Sequence, residues 1–231
     1  MFLGLSANEW VGIVGIIVNV VVAIFIGIQA RACRKSDKKE GFENSFRMTY
    51  FYIKEIIPEM DYLGMVYLPI IENMKEYREM LKGATLEEFD KQGFESLYKG
   101  LTLQEFERKV REKCDMFGKH FGEECTFTGG EVIAKILSLL NKMEYFAMYF
   151  NSGVASSDVI YESLHQTFLE WVGLLYPFIC RSNDRTTPEK TYYNNTVKLY
   201  KDWRKKEEEY AKELSLVRAR VNCIEEQNKK L

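Results

Sequence analysis

From Val11 to Ala30 the chain runs for twenty residues without a charge, VGIVGIIVNVVVAIFIGIQA. As a helix rising about 1.5 Å per residue, this run is about 30 Å long, the thickness of a bilayer's hydrocarbon core. RACRKSDKK follows at once, with five bases (Arg31, Arg34, Lys35, Lys38 and Lys39) against Asp37. A cleaved signal peptide carries its basic flank ahead of a shorter apolar core and ends in a small-residue cleavage site. Here the nine residues ahead of Trp10 hold no Lys or Arg and one acid, Glu9, and the basic flank lies behind the run. The pattern predicts a retained transmembrane helix over 10–30. The positive-inside rule puts residues 1–9 outside and residues 31–231 in the cytoplasm, with Trp10 at the outer interface. Within the span, Ala23 and Gly27 form a small-xxx-small pair and Asn19 lies near the midplane. Both features favour association of spans, by close approach and by an interhelical amide bond.

About 190 residues follow, enough for one domain. A net charge of −2 provides no basic field for nucleic acid, so no nucleic-acid partner is expected. Aromatic residues make up 14% of the chain, which is enough to build a core. Four prolines and few β-branched runs beyond the span predict an all-α fold. Its parts are a basic hinge over 31–42, a helical cytoplasmic domain over 43–186 and a long C-terminal helix over 187–231. Five scattered cysteines (Cys33, Cys114, Cys125, Cys180, Cys223) form no CxxC pair, and there are two histidines. That excludes the usual zinc spacings and reads as reduced thiols, with no metal or cofactor expected. Cys33, next to the membrane edge, has the position of a palmitoylation site, although a plain thiol is the simpler reading.

Along the domain, Phe42, Phe46, Tyr50, Ile53 and Ile57 recur at helical spacing, with Pro58 ending or kinking that helix. A second helix is expected over 62–81, kinked or broken at Pro69. TLEEFD (85–90) and TLQEFE (102–107) begin seventeen residues apart, and each reads as a capping box. Gly83 and Gly100 are placed to close the helices before them. Residues 118–130 read as a loop. Apolar helices over 131–151 and 158–180 are expected to form an antiparallel hairpin around a turn at Gly153, capped by Ser157 or Asp158 and bent late by Pro177.

Thr187-Pro188 reads as a cap with proline at N1, opening one helix to residue 231 about 66 Å long. Its apolar residues keep a heptad. Position a falls at Tyr200, Glu207, Leu214, Val221 and Asn228, and position d at Trp203, Tyr210, Val217, Ile224 and Leu231. Such a 3-4 alternation predicts a coiled coil from about residue 200, with its seam at Tyr210, Leu214, Val217, Val221 and Ile224. A parallel pair would set Glu213 against Arg218 and Arg220 against Glu225, which an antiparallel pair would not. Packing of the helix on its own domain is the rival arrangement up to about Tyr210.

Candidate chemistry is sparse. Glu162 and His165 stand as E-x-x-H, half of a di-iron ligand set. His120, the other histidine, has Phe117 three residues ahead of it, so the second half is absent. Glu144, in an otherwise apolar helix, could line a polar pocket with Asp158, Tyr161 and His165. No Walker loop, GxSxG or Gly-rich strand–helix turn occurs, so no catalytic residue is assigned. NNT at 194–196 has the form of a glycosylation acceptor, silent on the cytoplasmic side. KLYKDWRKK (198–206) interleaves bases with aromatics but overlaps the heptad.

Residues 139–183 carry Leu140, Asn141, Glu144, Ala147, Gly153, Asp158, Tyr161, Trp171, Pro177, Phe178 and Ile179 in a recognisable order. This pattern resembles an uncharacterised family of bacterial and prophage proteins that have one N-terminal span and a helical cytoplasmic domain. The resemblance implies a bacterial inner-membrane location, no known reaction, and a role in phage defence or exclusion. The long tail is not part of it. The expected function is therefore a non-enzymatic, membrane-anchored, parallel homo-oligomer that binds a protein partner or senses a signal. The alternatives are a pore-type effector triggered through the cytoplasmic domain, and a tethered enzyme built on the four-residue polar face.

Overall fold

The computed structural model describes residues 39–72, 74, 77, 86–98, 100–120, 127–184 and 191–228. The expected span over 10–30 (with Asn19, Ala23 and Gly27), Cys33, Cys125 and Thr85 lie outside these residues, as do the side chains from Val221 on. Among the described residues there is no strand, and no helix is long and apolar enough to cross a membrane. The fold is all-α.

Helix α1 (Lys39–Phe51) runs through a π-turn (Tyr52–Ile56) into α2 (Ile57–Val66). Pro58 does not end the helix. It has no N–H to give and its ring crowds the i−4 carbonyl, so the ladder changes register just ahead of it, where the Ile57 N–H bonds to the Tyr52 carbonyl. The expected apolar stripe turns out not to be the buried one. Phe46 and Tyr50 are 49% and 58% exposed, and the core takes Met48, Tyr52, Ile56, Met60 and Leu63. Ser45 and Thr49 are buried on that same face because each hydroxyl is satisfied. Ser45 Oγ bonds the Gly41 carbonyl at 2.7 Å and accepts from the Ser156 N–H at 2.9 Å, and Thr49 Oγ1 bonds the Ser45 carbonyl at 2.9 Å. Asn44 Nδ2 reaches the Val154 carbonyl at 3.1 Å. The start of α1 is thus fastened to residues 154–156.

Helix α2 ends at Val66, and α3 (Leu68–Glu72) begins after Tyr67, with Pro69 in its first turn. Glu59 on α2 meets Lys142 at 3.1 Å and Lys135 at 3.4 Å, and Ser138 Oγ donates to it at 3.4 Å. Burial pushes this carboxyl up, but the two ammonium groups outweigh burial and hold it below its ordinary value. Folding therefore favours the charged form. Its contribution is present above the ordinary carboxylate range and is lost as pH falls through it, from about pH 5 downward. Glu59→Gln is expected to cost about 1–3 kcal/mol near neutrality and to shrink the acid-side loss of thermal stability. Unfolding of wild type and variant at neutral and acid pH checks this. An acid limb of unchanged depth in the variant would refute it.

Helix α4 (Lys91–Leu97) does not start at the first expected capping box. Leu86–Phe89 are non-helical, and the cap is Asp90, whose carboxylate accepts from the Gly93 N–H at 2.8 Å. Distant side chains hold this non-helical segment. Tyr176 donates to the Glu88 carbonyl at 2.8 Å and Asn183 to the Phe89 carbonyl at 2.6 Å, with Leu86 and Phe89 in the core. The second box does form: Thr102 and Glu105 exchange bonds of 2.9 and 3.3 Å at the start of α5 (Leu103–His120), and Gly100 takes a φ of 104°.

Helix α6 (Gly129–Asn151) starts two residues ahead of expectation, on a third capping box, Thr128 with Glu131. TGGE carries the same T-x-x-E signature as the other two. Gly153, at φ 72°, makes the turn to α7 (Ser157–Asp184). That helix runs seven residues beyond Pro177 rather than ending near Cys180. Pro177 cannot pair with the Gly173 carbonyl one turn back. Two buried tyrosines sit over the gap: Tyr67 donates to the Leu174 carbonyl at 3.0 Å, and Tyr77 lies 3.3 Å from the Gly173 carbonyl. The core continues through Phe94, Phe106, Tyr176 and Phe178, with ring centroids about 6 Å apart.

The last helix, α8 (Asn194–Asn228), starts later than the expected position 188. Residues 185–190 are not described, but Thr191–Tyr193 form a turn in which Tyr193 takes a φ of 61°. At 35 residues, α8 is about 52 Å long.

Candidate interaction surface on the C-terminal helix

The N-terminus of α8 is held by one carboxylate. Glu144, on α6, accepts from the Asn195 N–H at 3.0 Å, Asn195 Nδ2 at 2.9 Å, the Thr196 N–H at 2.8 Å and Thr196 Oγ1 at 2.8 Å. First-turn amides of a helix have no partner within it, and a negative group suits that end of the dipole. Asn151 Nδ2 adds a bond to the Asn195 carbonyl at 2.9 Å. This explains both an acid in an apolar helix and the NNT sequence, in which Thr196 is fully buried.

One and a half turns on, Leu199, Tyr200 and Trp203 enter the core. Trp203 meets Phe168 at 5.1 Å and Tyr161 at 5.8 Å between ring centroids, both edge to face. The aromatics of KLYKDWRKK are therefore spent inside the bundle. The next turn is tied by Lys206, whose Nζ lies 2.7 Å from Asp158 Oδ1 and 4.3 Å from the centre of the Tyr161 ring. Tyr161 stacks on His165 at 4.3 Å and 17°, and His165 Nδ1 lies 2.6 Å from the Tyr161 carbonyl. Burial, with a lesser part from Glu207, raises the Tyr161 phenol above its ordinary value.

The structure therefore divides the four-residue face. Asp158 and Tyr161 meet Lys206, with His165 stacked behind Tyr161, while Glu144 is engaged by the root of α8. Glu162 is exposed beside this cluster, and no group of three or more His, Cys, Asp or Glu that could hold a metal occurs among the described residues. Cys114 and Cys180 are buried free thiols; burial pushes Cys114 up to about 12 and raises Cys180 as well, so neither is a ready nucleophile.

Beyond Glu207 the environment of α8 changes abruptly. Every residue from Glu208 to Arg220 is exposed. Tyr210, Leu214 and Val217 are 68%, 42% and 55% exposed. These three keep the a/d register of Tyr200 and Trp203, so a single stripe is buried for its first heptad and bare for the next two. Glu213, Arg218 and Arg220 flank the bare part.

Residues 70–203 match the family described as a domain of unknown function (DUF4760), over more than half of the chain, and the chain belongs to that family. The match ends at Trp203, the last residue of α8 in the core among the described ones. No curated protein and no solved structure matches the chain.

Proposed function

We propose that this member of the DUF4760 family is a membrane-anchored module that self-associates through the free half of α8 and presents its helical domain to a protein partner or signal. The observation that carries the reading is the uncovered stripe at Tyr210, Leu214 and Val217. It continues the register of Tyr200 and Trp203, yet no part of its own domain packs on it among the described residues. Burying a side chain of that size contributes about 1.5–3 kcal/mol, which makes a two-stranded seam worthwhile once spans confine the chains to one membrane. Opposite charges at 213 and 218 favour parallel pairing, which is also the arrangement that lets every span enter the bilayer in one direction. The anchor over 10–30 read from the sequence, and the inner-membrane setting and role in phage defence or exclusion implied by the family resemblance, belong to the same proposal.

The test is the mass of the full chain in detergent, by sedimentation. Leu214→Asp together with Val217→Asp is expected to convert an oligomer to a monomer while the helical circular dichroism of the bundle persists. In Val217→Cys, oxidation is expected to link two chains through that position, because like positions face each other in a parallel pair. A monomeric wild-type chain, or an oligomer indifferent to the double substitution, would refute the reading.

A further inference from the structure

A second apolar surface lies on α1, at the other end of the described chain. Phe46 and Tyr50, one helical turn apart, are about half exposed, with Phe42 and Ile53 half-buried at the flanking positions of the same stripe. The opposite face of α1 is fastened to the bundle through Met48, Tyr52, Ser45 and Thr49, so this helix cannot turn its aromatics inward without breaking those contacts. Arg47 and Lys54 are exposed beside the stripe, and Lys54 Nζ lies 6.0 Å from the centre of the Tyr50 ring. Glu43, one turn ahead of Phe46, is exposed within the stripe, and Glu55, next to Lys54, is drawn to Lys142 at 3.3 Å.

The length of chain ahead of α1 decides what can cover this face. Ala30 ends the uncharged run and Lys39 opens α1, leaving eight residues between them. Eight residues reach about 12 Å as a helix and at most about 28 Å fully extended. An aromatic stripe with flanking bases, held that close to the end of a span, has the composition of a helix lying in the headgroup layer. Its rings enter the acyl boundary and its bases meet anionic lipid. We propose that the Phe46–Tyr50 face of α1 rests on the anionic bilayer surface, so that the domain docks flat against the membrane instead of swinging on a loose hinge. This inference rests on the anchor reading above and names the surface that goes with it.

Photo-crosslinking of the full chain tests the proposal. Benzoylphenylalanine replaces Phe46, Tyr50 or, as a control on α8, Leu216, in vesicles containing phosphatidylglycerol. Lipid adducts are expected at 46 and 50 in several-fold higher yield than at 216. Chain-to-chain adducts at 46 and 50 would overturn the proposal in favour of a second copy on this face. Yields no higher than at 216 would overturn it by showing the face open to water. Alkaline carbonate extraction of the same vesicles tests the anchor separately. Release of the chain despite lipid adducts sinks the anchor and leaves the surface contact standing, while retention without adducts sinks the surface contact alone.

Discussion

Trp203→Ala is expected to lower the free energy of unfolding by about 3–5 kcal/mol, the range for removing a large buried aromatic. In a domain of this size, that is a fall in Tm of about 10 °C or more. Trp203 is 2% exposed and is the last point at which α8 enters the core, wedged edge to face between Phe168 and Tyr161. Its loss leaves a cavity that Phe168 cannot fill without leaving its own contact with Phe146 at 6.0 Å. The companion variant separates shape from polarity. Among the described residues the indole Nε1 is buried without a hydrogen-bond partner. Trp203→Phe therefore gives up ring volume but no hydrogen bond, and it removes a desolvated N–H. It is expected to cost less than half as much as the alanine variant. Thermal unfolding of the detergent-solubilised chain, followed by circular dichroism, measures both. Equal losses for the two variants would refute this account of how the tail is rooted.

Glu144→Ala is expected to cost about 2–4 kcal/mol. Its four hydrogen bonds reach two first-turn amides and two side chains of α8, and Thr196 is fully buried, so water cannot replace what is lost there. Bonds to a charged group contribute about 1.5–3 kcal/mol each in isolation, and helix caps about 0.5–2, but a shared carboxylate does not add them fully. Glu144→Gln keeps one acceptor oxygen and sets an NH2 against donors, so it is expected to recover less than half of the loss. The sharper readout is hydrogen exchange. Amides from Asn195 to Trp203 should exchange much faster in the alanine variant, while those in the α6–α7 hairpin hold. Uniform acceleration across both would mean that Glu144 acts on the whole domain instead of on the root of α8.

Local signals in this chain mark its elements directly, whereas contacts between distant residues leave no local signal. Thr102 with Glu105, the turn at Gly153 and the helices on either side of it follow from residues a few positions apart. The T-x-x-E signature at Thr85 points to a helix start there, but α4 is capped by Asp90, because Tyr176 and Asn183, about ninety residues away, hold the carbonyls of Glu88 and Phe89. Helix α1 carries two apolar stripes. The less apolar one is buried, since Ser45 and Thr49 bond to backbone and Tyr52 packs on Phe146 at 5.0 Å, none of which periodicity reveals. Glu144 stood out as an acid in an apolar helix, but its partners lie fifty-one and fifty-two residues on. In α8 the sequence allows packing on the domain up to about Tyr210, and among the described residues the last buried ring is Trp203. No breaker marks that place more sharply, because the helix goes on where the domain ends.

Residues 154–158 hold two helices at once. Ser45 and Asn44 fasten the start of α1 to Ser156 and Val154, and Asp158 grips Lys206 where α8 leaves the bundle. From there α8 continues to Asn228, about 30 Å further. That geometry is a lever with its fulcrum where the turn at 154–156 enters α7. A tilt of about 10° at Lys206 carries the far end about 5 Å, the height of one helical turn. A small shift of α1 that tilted α8 through residues 154–158 would thus show at the tip as a displacement several times larger.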